Sequence, residues 1–208
     1  MAKSLNVNPN RMELSRLKRR LVVAKRGHKL LKDKQDALIK EFLQRARDVK
    51  ALREAVEEEL KLCYQSFLLA RAQTLPSMLE QALLLASGRL EVRGTSRNVM
   101  SVNIPEYQLQ AQESRLSYGL LTSPGSLDVA LERFVRLLPK LIHLAAAEKA
   151  LRLMATEIER TRRRVNALEH VLIPSFIETI RGISMKLDEM ERANLGRLMR
   201  IKEIVRSH

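Results

Sequence analysis

Between Arg11 and Gln73 the chain contains no proline and a single glycine, Gly27. So long an uninterrupted run, rich in Leu, Ala, Arg, Lys and Glu, reads as one continuous α-helix. About sixty residues at 1.5 Å each give a rod of roughly 90 Å. No compact domain of 208 residues could bury that rod along its whole length. Leu17, Leu21, Ala24, Leu31, Leu38, Phe42, Val49, Leu52, Val56, Cys63 and Ala70 fall on alternating three- and four-residue steps. That is a heptad seam, interrupted by His28, Gln35, Arg45, Glu59 and Ser66. Asn8 or Asn10 can cap the start, since a side-chain oxygen there accepts from otherwise unpaired first-turn N–H groups.

A second stretch, from about Ser126 to Arg206, repeats the step through Leu137, Leu141, Leu144, Leu151, Ala155, Ile158, Val165, Leu172, Phe176, Ile183, Met190 and Ala193. Glu148, Arg162, Glu169, Thr179 and Lys186 are its polar interruptions. Pro139 and Pro174 each remove a helical donor, so a kink or short break is expected at both. Two such rods in one chain imply an antiparallel hairpin, in which facing residue numbers have a constant sum. With Phe42 opposite Val165, Arg45 would face Arg162 and Glu59 would face Glu148. With Phe42 opposite Leu172, Arg45 meets Glu169, Leu38 meets Phe176 and Leu31 meets Ile183. A third register, Phe42 opposite Ile158, avoids like-charge pairs but leaves the last ~25 residues little to pair against. Since an Arg–Glu pair can be hydrogen-bonded where like charges repel, the register with Leu172 is expected.

Residues 76–125 change character. "PSMLEQALLLASG" reads as a short helix ended by Gly88. "RLEVRGTSRNVMSVNIP" alternates as a β-hairpin, with Leu90 and Val92 before a turn at Gly94, then Met100, Val102 and Ile104, and Pro105 as the end of the second strand. "SYGLLTSPGS" reads as a loop leading back into helix. The expected fold is mainly α: a long antiparallel two-helix coiled-coil hairpin with a small middle knob containing a short helix and a β-hairpin. Its parts are an N-terminal shaft helix over 1–75, the knob over 76–125 and a C-terminal shaft helix over 126–208.

The net charge is +14, which suits an acidic partner, nucleic acid or an anionic membrane. Residues 11–34 carry ten Lys or Arg against two acidic residues. Such a face could follow phosphates, yet stacking aromatics are missing and no helix-turn-helix or zinc pattern is present. A solvated or partner-facing rod end is the better reading. Cys63, the only cysteine, excludes an internal disulfide and points to a reducing cytoplasm. The opening "MAKSLNVNPN" lacks the apolar stretch of a signal peptide, and no run approaches the ~18 apolar residues of a membrane span.

Tools for chemistry are scarce. There is no glycine-rich phosphate loop, and His28, His143, His170 and His208 lie too far apart in sequence for a metal motif. Neither catalysis nor a bound cofactor is expected of this chain. "TRRRVNALEH", residues 161–170, is the unusual stretch. Side chains about 100° apart on a helix spread Arg162, Arg163 and Arg164 round most of the circumference. One of them is expected to flank or enter the seam. Glu159 supports Arg163 from four residues earlier.

"NPNRMELSRLKRRLVVAKRGHKLLKDKQDALIKEF" and "EIERTRRRVNALEHVLIPSFIETI" resemble the two shaft helices of the D-type stalk protein of the V-type rotary ATPases. "NVMSVNIP" and "LLPKLIHLAAAEK" are similar to its linking segments, so the resemblance covers nearly the whole chain. It implies a non-catalytic central rotor stalk, similar in role to the gamma subunit of F-type ATP synthases. The two helices would enter a ring of A and B subunits. The lower part would join the small F subunit and the funnel-shaped subunit on the membrane rotor, through which H+ or Na+ passes. The resemblance further implies a cytoplasmic location peripheral to the membrane, with no nucleotide, metal or nucleic acid on the chain. Arg45, Arg162, Arg163, Arg164 and Glu169 are the candidate shaft and coupling contacts. The alternative is a stand-alone basic coiled coil that binds nucleic acid or an anionic membrane surface.

Overall fold

A computed structural model describes residues 7–85, 90–111 and 125–207. Helix α1 spans Arg11–Gln73 and α2 spans Pro76–Leu85; strands β1, Leu90–Val99, and β2, Val102–Ala111, follow. Helix α3, Gly125–Ala167, passes through a π-helical turn at Leu168–Leu172 into α4, Ile173–Ser207. The chain divides into two structural units, Met1–Ala37 with Ile158–His208, and Leu38–Glu157.

Asn10 is the cap of α1: its side-chain Oδ1 accepts from the Met12 N–H at 3.4 Å and its carbonyl accepts from Leu14 N–H at 3.0 Å. In the Leu38–Glu157 unit, α1 and α3 run side by side. Val56, Cys63 and Leu137 form one buried cluster, flanked by Leu52, Phe134 and Leu144. Ala70, Leu79 and Leu127 form another, which also holds α2. Tyr64 and Phe134 meet edge to face at 5.9 Å, the geometry that aromatic quadrupoles favour. In the other unit Leu17, Phe176 and Ile183 are the buried centre, with Leu14, Leu21, Ile180 and Leu187 packed around them.

The register differs from the expected one. In the first of these units Arg53 bonds Glu148 at 3.2 Å, Lys140 pairs with Glu59, and Ser126 donates to Gln73 at 2.7 Å. In the other, Arg11 pairs with Glu191 and His28 lies 3.3 Å from Glu169. In both, facing residue numbers add to about 200, the third of the three registers and two heptads from the favoured one. The expectation fails because the seam charges do not stay in the seam. Glu59 and Glu148 reach sideways to cations on the opposite helix, each with its side chain 42% exposed. The overhang that counted against this register is present: residues 188–206 are all exposed.

The seam of α1 holds where expected at Leu17, Leu38, Val56, Cys63 and Ala70, all buried. On α3 it drifts. Ala150, Met154, Thr161 and Val165 are buried, whereas the expected Ala155, Arg162 and Leu172 are exposed. A straight helix advances about 20° per heptad relative to a 3.5-residue repeat, so a strict heptad reading slides off the buried face. Ala150 and Thr161, like Met154 and Val165, are about eleven residues apart, three full turns of an unsupercoiled helix. Polar residues on the stripe satisfy themselves locally. Ser66, Ser175 and Thr179 donate to the carbonyls of Leu62, Leu172 and Ser175 at 2.9, 2.9 and 2.7 Å, so they need no partner across the interface.

The two prolines behave differently. Helix α3 runs through Pro139 without a break; the carbonyl one turn back belongs to Val135, whose exposure leaves it open to water. Before Pro174 the helix widens into the π turn, in which Ile173 N–H donates to Leu168 O. A proline ring clashes with the carbonyl four residues earlier, and a widened turn is a common way to relieve that.

The β-hairpin is present, with two corrections. Its turn is the two-residue Met100–Ser101 loop, at φ 50° and 70°, closed by the pair Val99–Val102. Gly94 lies within β1 opposite Tyr107, and Pro105 lies within β2 opposite Ser96. A positive φ at both loop residues is the type I′ geometry that matches strand twist. Asn98 supplies what a loop glycine would otherwise ease: its Oδ1 accepts from Ser101 N–H at 3.1 Å, and its amide donates to Asn103 at 2.8 Å. Gly94 serves packing, since a Cβ there would stand 3.4 Å from the Tyr107 ring. Pro105 is tolerated because a two-stranded sheet has only edge strands. Val102 and Ile104 bury the common face of β2. The expected helix stop at Gly88 and most of the loop over 117–126 lie outside the described residues.

Candidate functional site

The arginine fan is wholly external. Arg162, Arg163 and Arg164 are exposed, while Thr161 and Val165 on either side are buried, at 1% and 5% exposure. The geometry is simple: residues four apart share a face, so positions 161 and 165 take the interior and the three between fill the outer arc. None enters the seam, contrary to expectation. Arg163 pairs with Glu159, as the four-residue spacing predicts. Arg162 and Arg164 have no ion-pair partner among the described residues.

Arg45 does not meet Glu169. Its Nε donates to Glu41 one turn earlier at 2.8 Å. Glu169 sits in the π turn, and its Oε2 lies 3.3 Å from His28 Nε2 on α1, with the histidine side chain 20% exposed. The five candidates are therefore distributed along the helices rather than gathered. That is a pattern for a surface that touches other protein in several places. The structure keeps Cys63 buried, and the Glu58 carboxylate beside Lys61 pushes that ammonium above the usual lysine range by hydrogen bonding and charge. Among the described residues no group of three or more His, Cys, Asp or Glu could hold a metal ion, and no helix is long and apolar enough to cross a membrane.

Two features escape a seam-based reading. The first is a groove beside the first turns of α1. Met12, Val23, Leu172 and Phe176 supply its apolar lining, and Arg16, Arg19 and Arg20 its basic one. Met12 is 78% and Val23 68% exposed. Both are off the heptad seam, and apolar residues among so many cations were the available signal. The second is the end of α4, where Leu195, Leu198, Met199, Ile201 and Val205 are exposed. These side chains form an uncovered apolar surface, of the kind that marks contact with another protein.

The chain matches, over residues 13–203, the family model described as the D subunit of ATP synthase. It is 50% identical over 203 residues to the V-type ATP synthase D subunit of Thermoanaerobacter sp., covering 97% of each chain. It is 49% identical over 205 residues to that of Acetivibrio thermocellus, covering 97% of this chain and 92% of that one. The corresponding protein of Clostridioides difficile is 47% identical over 204 residues, with the same coverage. Identity at this level runs through both long helices and the hairpin between them, so this chain belongs to the family of ATP synthase D subunits.

Proposed function

We propose that this chain is the non-catalytic central stalk of a V-type ATPase or ATP synthase. It couples ATP hydrolysis or synthesis in a ring of A and B subunits to H+ or Na+ transport through the membrane rotor. The small F subunit and the funnel-shaped membrane-side subunit are its other partners, and it works on the cytoplasmic face as a peripheral part of the complex. The shaft comprises residues 1–75 and 126–208, with the knob of 76–125 between them.

The observation that carries this reading is the outer end of α4, exposed from 188 to 206 and apolar at Leu195, Leu198, Met199, Ile201 and Val205, in a chain of this family. A self-sufficient coiled coil would bury those residues against its own partner helix. A shaft tip seated in a surrounding ring would leave them uncovered until assembly. The arginine fan fits the same environment, because a charged exterior slides past successive subunits where an apolar one would adhere to the first.

Trimming the last ~15 residues, on the order of four helical turns, tests it. In the reconstituted complex, ions pumped per ATP hydrolysed should fall while the stalk chain keeps its helix content by circular dichroism. Unchanged pumping per ATP after the truncation counts against a torque-bearing tip.

A further inference from the structure

We propose that the groove beside the first turns of α1 docks an acidic amphipathic helix of a ring subunit, an inference that rests on the stalk reading above. Its arginines are the first support. Arg16, Arg19 and Arg20 lie three and four residues apart, so their guanidinium groups share one side of the helix at a spacing of about one turn. Arg16 reaches Glu13 at 3.3 Å, but among the described residues neither Arg19 nor Arg20 has a carboxylate partner. This contrasts with the rest of α1, where Arg45, Lys50, Arg53 and Lys61 all have one.

The lining is the second support. Met12 and Val23 stand in the open beside Phe176, on the same side of the pair of helices as the unpaired arginines. A purely polyanionic ligand would use the cations and leave the apolar side chains wet. A helix with carboxylates one turn apart and an apolar residue between them satisfies both. Its acids would take two-pronged bonds from the guanidinium groups, and its apolar side chain would cover Met12 and Val23. The groove is open on one side, so such a helix can lie along it without any rearrangement of α1.

The test uses the full chain and the purified ring of A and B subunits, with the dissociation constant read by fluorescence anisotropy. Reversing the unpaired cations, Arg19→Glu with Arg20→Glu, should weaken association by about tenfold or more. The control Lys25→Glu with Lys29→Glu makes the same charge change on exposed residues of α1 outside the groove, and should cost less than about threefold. Val23→Ser should weaken binding without altering its salt dependence, since it removes apolar contact alone. A photo-cross-linker at position 23 should capture a ring peptide with acidic residues three or four apart.

Equal effects of the two double reversals would reduce the groove to general electrostatics and overturn the proposal. So would capture of a ring peptide without acidic residues. Vesicles of equal phosphatidylglycerol and phosphatidylcholine supply the lipid alternative: binding that depends on Arg19 and Arg20, with ring association unchanged, would assign the groove to an anionic headgroup and overturn the protein partner. A wild-type chain that never joins the ring removes the stalk reading and this inference together. A wild-type chain that joins while the Arg19 and Arg20 reversal joins equally well removes only the groove.

Discussion

Pairs of engineered cysteines can read the register directly. Leu17 and Ile183 belong to one buried cluster, whereas the register favoured by the seam charges would set Leu31 opposite Ile183. Those two arrangements differ by two heptads, a slide of about 20 Å along the helix axis at 1.5 Å per residue. A disulfide requires Cα atoms within about 7 Å of each other, so one chain cannot satisfy both without unwinding. Cys63 is buried between Val56 and Leu137 and is first changed to Ala, which removes the competing thiol. In that background, Leu17→Cys with Ile183→Cys should form an intramolecular disulfide under mild oxidation, seen as a mobility shift on non-reducing gels. Leu31→Cys with Ile183→Cys should remain reduced over the same time, or form only intermolecular bonds that dilution suppresses. A faster intramolecular bond in the second pair would show that the charge-based register is right and that the cross-helix pairs summing to about 200 do not form.

Packing and backbone geometry carry three further expectations. Leu137→Ala, at 1% exposure, should lower stability by about 2–5 kcal/mol, whereas Val135→Ala, two residues away and 53% exposed, should change it by less than about 0.5 kcal/mol; urea unfolding compares them, and equal costs would contradict the burial pattern. Gly27→Ala should stabilise α1 by roughly 0.5–1 kcal/mol, because nothing lies within 4 Å of the added Cβ; a lower melting temperature would mean that the glycine serves a need other than space. Ser101→Gly should relieve about 1 kcal/mol of left-handed strain at φ 70° and raise hydrogen-exchange protection across β1 and β2, and reduced protection would rule that strain out.

More of the fold than of the site is legible in the sequence. Helix limits, the cap at Asn10 and the existence of the β-hairpin follow from local chemistry, and local chemistry is what a sequence displays. Reading glycine as the turn signal misplaces the hairpin's turn. Asn98 bonds across the loop and stabilises a turn made of Met100 and Ser101, while Gly94 makes room for a ring. A heptad reading misassigns the seam of α3 by one position, because burial on a nearly straight helix follows three-turn spacing. That single shift moves Arg162 out of the interior, and with it part of the case for the wrong register. Arg45, Arg163 and Glu169 each find a partner, but only that of Arg163 is named by the sequence reading. A partner one turn away is local, whereas one on another helix depends on register. The groove could not be read at all: Leu172 and Phe176 join Met12 and Val23 only once the two helices are set side by side.

The uncovered end of α4 has a thermodynamic consequence that separates it from the basic groove. Bringing apolar side chains such as Leu195, Leu198, Ile201 and Val205 out of water makes the heat capacity of association negative, so the enthalpy of assembly must become more favourable as temperature rises. Charge pairing at Arg19 and Arg20 leaves a different mark, a loss of affinity with added salt. One calorimetric titration series run across temperature and another across ionic strength would therefore report on two different surfaces of the same chain. A stalk cut short at the end of α4 should lose most of its temperature slope and keep its salt slope.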